Sequence, residues 1–177
     1  VQSGQRFAAG VIYAPSETAT WEGEVQPRIT ARAWINHRWI ERDAGTAGKL
    51  TLAERGKATF AIYPDNGDPD SKPLQPHDVV SIRRGETISL IVRADRKADF
   101  TTEISLGKEQ AGRNLPFGAY VDNIGLNGLL IRVDESERQF FITVDEMTET
   151  GKRSFFLNGS ADGGITTPPI TLEVLPK

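Results

Sequence analysis

At 177 residues the chain is long enough for one large β-sandwich or two small ones, and it needs no cross-links to bury a core. It has no cysteine, which excludes disulfides, thiolate chemistry and Cys-ligated zinc, and its net charge of -3, with both signs interspersed, offers no basic stripe to a nucleic-acid backbone. No apolar run approaches the ~20 residues of a membrane-spanning helix, so direct membrane insertion is not expected, and a start at Val1 without a signal or transit pattern is expected of an excised or processed fragment.

The amino-terminal part offers short β candidates at Phe7 to Tyr13, Arg28 to Ile35, Arg38 to Ile40, Lys49 to Leu52 and Ala58 to Tyr63, separated by Gly, Pro, Ser and Asp. Ala33 to Ile40 is nearly symmetric about Asn36-His37. A two-residue turn there sets Ile35 opposite Arg38 and pairs Trp34 with Trp39 across the strands, whereas one continuous strand would put Ile35 and Trp39 on the same face. Between Tyr63 and Asp78, Pro64, Pro69, Pro73 and Pro76 remove ladder donors and stiffen the chain. A domain boundary is therefore predicted near residue 75, dividing a small β unit at 1–75, which can be a partial sandwich, from a second domain at 76–177; the alternative reading is a long loop inside a single sandwich.

The second part alternates clearly. Val80 and Ile82; Ile88, Leu90 and Val92; Ile104 and Leu106; Leu129, Ile131 and Val133; Phe140, Ile142 and Val144; Phe155 and Leu157; and Ile170, Leu172 and Val174 would each point into one core. Turn residues separate them at Arg84-Gly85, Asp134 to Glu137, Thr150-Gly151 and Asp162 to Gly164. Val80 to Arg93 reads as a hairpin, with Arg83, Arg84, Arg93, Arg96 and Lys97 protecting a sheet edge. The fold class predicted is all-β: an immunoglobulin-like antiparallel sandwich following a smaller β unit.

The order Val80-x-Ile82-x-Arg84-Gly85, Leu90-Ile91-Val92-Arg93, Phe100-x-x-x-Ile104-x-Leu106, Leu115-Pro116-x-Gly118, the charged turn before Phe140-Phe141-Ile142, and Pro169 to Val174 resembles a bacterial immunoglobulin-like accessory domain. Such domains stand beside pre-peptidase C-terminal-type modules in large exported proteins. The resemblance covers about residues 78–177 and implies a non-catalytic module that spaces or docks other domains, outside the cytoplasm, in the periplasm or at the cell surface. Phe117 stands where the family often has a second proline, and Ala119 to Gly128 is longer than usual.

Chemistry-bearing residues are few. His37 and His77 are the only imidazoles, and there is no Gly-x-Ser-x-Gly elbow, no His-Glu-x-x-His and no phosphate-binding Gly-rich loop, so no enzyme and no cofactor is expected. Asp65, Asp68 and Asp70 supply the hard oxygen ligands calcium prefers, which would suit a calcium-dependent adhesion module, but in EF-hand register Ser71 falls where Gly belongs and His77 where Glu belongs. A solvated linker is the simpler reading. Trp21, Trp34 and Trp39 raise the alternative of a carbohydrate-binding platform, for which a coplanar exposed pair at Trp34 and Trp39 would be needed; cross-strand or core packing is the competing reading. The expected partners are other domains of the same polypeptide or another protein, with a glycan as the alternative, and the expected contact loops are Ala111 to Gly118 and Gly159 to Thr167.

Overall fold

The computed structural model describes residues 8–14, 25–52, 56–106, 112, 114–122, 129–161 and 164–177. The chain is all-β: its described residues hold thirteen strands. It forms two compact units, one of Ala14–Arg55 and one of Val1–Tyr13 with Gly56–Lys177.

The first unit is built on a ribbon of β1 (Arg28–Ile35) and β2 (Arg38–Thr46). Asn36 and His37 join them with φ of 49° and 61°, the two left-handed conformations that a type I′ turn requires. Ile35 stands opposite Arg38 and Trp34 opposite Trp39, as the symmetric sequence predicts. Farther from the turn the register slips between Thr30 and Ile29, where Ala44 is the extra residue of a bulge. Beyond the ribbon, Val25 and Leu50 exchange backbone hydrogen bonds of 3.0 and 2.8 Å, and the strand expected over Lys49 to Leu52 is reduced to this single bridge. Residues 8–13 form no strand, and the Phe7 end of that expected element lies outside the described residues.

The second unit has a four-stranded antiparallel sheet in the order β3 (Ala58–Pro64), β5 (Thr87–Arg96), β9 (Glu137–Val144), β7 (Ala119–Asp122). A three-stranded sheet in the order β10 (Gly151–Phe155), β13 (Ile170–Leu175), β4 (Val79–Arg83) accompanies it, with β13 and β4 parallel. Two short pairs complete the unit: β6 (Ile104–Ser105) with β8 (Leu130–Ile131), and β11 (Asn158–Gly159) with β12 (Ile165–Thr166).

Alternation explains the core. Phe60 and Ile62 of β3, Leu90, Val92 and Ala94 of β5, and Phe140, Ile142 and Val144 of β9 share one buried cluster with Ile82 of β4, Phe155 of β10, and Ile170, Leu172 and Val174 of β13. Ile104, Leu106, Leu129 and Ile131 join it, so most of the inward positions expected from the sequence are buried. Val133 is exposed because β8 ends at Ile131 and the chain turns over 132–135. At Gly159, a Cβ would lie 2.5 Å from Cε2 of Phe60, so the absence of a side chain lets β11 close over that ring.

Two expectations are corrected. The Val80 to Arg93 segment is not a hairpin: β4 hydrogen-bonds to β13, and β5 lies between β3 and β9. Arg84-Gly85 is a corner between sheets, with Gly85 at φ 78° and the Glu86 N–H donating to Arg83 O at 3.2 Å. The boundary near residue 75 is likewise displaced to 55/56, because β3 pairs along its whole length with β5. The proline-rich segment thus carries the chain from one sheet to the other inside a single unit. Two of its donors reach back to the strands that flank it, with Leu74 N–H donating to Ile62 O at 2.8 Å and His77 N–H to Pro169 O at 3.0 Å.

Candidate functional site

Backbone bracing at one end of the second unit presents two apolar side chains to solvent. The Pro116 to Ala119 turn closes through Ala119 N–H to Pro116 O at 3.0 Å, and Gly118 takes φ 84°, the positive value that the third residue of a type II turn needs. The Asp145 to Thr148 turn closes through Thr148 N–H to Asp145 O at 3.1 Å. Asp145 N–H then donates to Gly118 O at 2.8 Å, which ties one turn to the other. A side chain at position 118 would collide with Thr148 Oγ1, so glycine is required by space as well as by φ.

On these tied turns Phe117 is 85% and Met147 90% exposed. With Pro116, Glu149, Lys152 and Arg153 they border an open groove of about 280 Å³. That volume falls at the lower limit of small-molecule sites. Of the loops expected to make contacts, Leu115 to Gly118 therefore reaches solvent at Phe117, while Ala111 lies outside the described residues. The Gly159 to Thr167 loop is different: Gly159, Ala161 and Thr167 are buried, and Thr167 Oγ1 accepts from Leu157 N–H at 3.0 Å. Asp162 and Gly163 lie outside the described residues.

Met147 escaped sequence reading because its neighbours Asp145, Glu146 and Thr148 make the segment look like an ordinary polar turn. The signal was available in principle: it is the only methionine in the chain, and it stands where no strand alternation places it in a core.

The two tryptophans of the ribbon are brought together. Their ring centroids are 5.4 Å apart with planes at 67°, an edge-to-face pair, and Trp34 and Trp39 are 57% and 59% exposed. The Arg32 guanidinium sits 4.5 Å from the Trp39 ring centroid. The pair is thus exposed, as a sugar platform requires, but not coplanar. It satisfies the cross-strand packing reading without burial. Trp21 lies outside the described residues.

The acidic loop is organised by its own backbone. Asp68 N–H donates to Asn66 Oδ1 at 3.0 Å and Asp70 N–H to Asp68 Oδ1 at 2.9 Å, two successive Asx turns. Asp65 turns to the sheet, where its Oδ2 accepts from Ser89 Oγ and, at 2.6 Å, from Gln139 Nε2. These two donors hold its carboxyl below the ordinary aspartate pKa, Ser89 contributing most. Asp65, Asp68 and Asp70 are not gathered around one point, and among the described residues no three His, Asp or Glu side chains form a metal-binding group.

The arginines of β5 are structural. Because β5 is a central strand, Arg93 and Arg96 do not protect a sheet edge as expected. Arg93 Nε donates to Glu137 Oε2 at 2.8 Å, and its guanidinium lies 4.3 Å from the Tyr63 ring centroid. Arg96 donates to the carbonyls of Ile131 at 3.2 Å and Arg132 at 2.8 Å, and to that of Glu135, which fixes the turn leading into β9. Arg83 does stand on an edge strand, where Nη1 donates to Pro176 O at 3.2 Å. His37 occupies the ribbon turn and His77, at φ 73°, the connection into β4. No known protein-family model matches the chain, and no curated protein matches it in sequence.

Proposed function

We propose that this chain is an immunoglobulin-like docking module of a larger exported bacterial protein, non-catalytic in itself, which holds a neighbouring domain or protein through the Phe117 and Met147 turns. Immunoglobulin domains place strands A, B, E and D in one sheet, and β3-β5-β9-β7 follows that order if β3 is taken as A. The later strands β10 and β13 lie together in the other sheet, as F and G do.

The observation that carries the reading is the exposure of Phe117 and Met147 on turns that the backbone ties together. Their burial against a partner would contribute about 25 cal/mol for each Å² of apolar surface removed from solvent, and the bracing lowers the ordering cost of the contact. Comparing amide hydrogen exchange of this chain alone with the same chain inside its full-length protein tests the reading. Slower exchange at residues 117–120 and 146–149 in the longer protein is expected, and Phe117→Ser combined with Met147→Ser should abolish the difference. Equal exchange in both contexts would remove the proposal.

A further inference from the structure

The ribbon of the first unit carries apolar side chains on both faces of its tip. Trp34 and Trp39 pair on one face, while Ile35 falls on the other, opposite Arg38 and beside the half-buried Ile40, because successive residues of a strand point to opposite sides. Ile35 is 47% exposed, close to the two indoles. A sugar ring or the flank of a protein would use one face of such a ribbon and leave the other in water. Apolar groups on both sides suit a medium that surrounds the tip.

Charge points the same way. From Thr30 to Arg42 the cations are Arg32, Arg38 and Arg42, against the single acid Glu41, in a chain whose net charge is -3. The next acid, Asp43, is ion-paired with Arg28. Indoles combine an apolar body with a polar N–H and settle where hydrocarbon meets water. Long arginine side chains reach from that depth to phosphate oxygens. At ~3.3 Å per residue, the three residues on each side nearest the turn extend about 10 Å, the depth to which interfacial elements enter a bilayer.

We infer that the ribbon tip inserts into the interfacial layer of an anionic lipid bilayer, with Trp34, Ile35 and Trp39 at the acyl boundary, the Arg38 side chain reaching back from the level of Ile35 to the headgroup phosphates, and Arg42 among those phosphates. This is contact with one leaflet, not a span. It stands apart from the docking role of Phe117 and Met147, which belong to the other unit.

The whole chain with Trp21→Phe, so that only the ribbon indoles emit, is mixed with vesicles of phosphatidylcholine alone or equimolar with phosphatidylglycerol, some carrying brominated acyl chains. Co-sedimentation with the anionic vesicles, a blue shift, and quenching by the bromines are expected. Arg38→Gln with Arg42→Gln should weaken partition about thirty-fold, at roughly 1 kcal/mol per cation near an anionic surface. Ile35→Ser should weaken it about ten-fold. The latter leaves the Trp pair in place, so the far-ultraviolet exciton signal of the two indoles reports that the ribbon is still formed. Failure to sediment would overturn the inference, as would sedimentation without quenching or with Ile35→Ser unaffected. A shift produced by soluble oligosaccharides or an acidic peptide, with none from vesicles, would replace the bilayer by that partner.

Discussion

The Asp65 carboxylate accepts from Ser89 and Gln139, and Gln139 Nε2 is also 2.9 Å from Ser89 Oγ, so three side chains from separate parts of the sequence share one small network on the four-stranded sheet. In the sequence the same aspartate belongs to an apparent calcium loop, because Asn66, Asp68 and Asp70 follow it closely. Its actual partners lie 24 and 74 residues away. Its folded pKa is depressed, so the network contributes stability above the ordinary value of 3.8, and that contribution is lost as pH falls through the folded value. Ser89→Ala removes the largest cause. The Asp65 carboxyl resonance should then titrate at higher pH than in the parent, and the stability gap between the two proteins should close in acid. An unmoved titration would show that the network does not govern the carboxylate.

At the scale of elements, the ribbon and the Arg84-Gly85 corner show when local sequence specifies pairing. Trp34 to Trp39 is nearly palindromic around a residue pair that tolerates positive φ, and both turn and register were legible from it. His37 is the weak point, since a left-handed conformation costs an L-residue roughly 1–2 kcal/mol, a penalty glycine avoids. His37→Gly should stabilise the ribbon by about 1 kcal/mol, seen as a stronger indole exciton signal and slower exchange of the β1–β2 amides. A weaker signal would mean that the imidazole itself supports the turn. Arg84-Gly85 has the same outward marks of a hairpin, yet β4 and β5 enter different sheets. The alternation of Val80, Ile82, Ile88, Leu90 and Val92 reports which side chains face a core, and a corner between two sheets around that core preserves it as well as a hairpin does.

Across the whole molecule, the division of the chain depends on β3. Ala58, Phe60 and Ile62 are buried with β5, β9 and β13 side chains, so the second unit is incomplete without them. A chain starting at Gly56 is expected to unfold cooperatively in denaturant. One starting at Gln75, near the boundary suggested by the prolines, should be less stable by at least 5 kcal/mol, roughly the cost of emptying the Phe60 and Ile62 sites, and its uncovered β5 edge should favour aggregation. Equal denaturation midpoints for the two chains would show that β3 is dispensable.

By itself the sequence determined the all-β class, the inward residues of most strands and the ribbon turn, because these follow from side-chain identity over a few consecutive positions. Only the tertiary structure decided that β3 belongs with β5, that the prolines bridge two sheets, that Arg93 and Arg96 brace the interior of a sheet and its turn, and that Phe117 and Met147 remain outside. The physical reason is that strands pair through backbone N–H and C=O groups that nearly every residue carries. Alternation therefore marks a face without naming a neighbour, and an apolar side chain on a turn looks the same in sequence whether a core or a partner covers it.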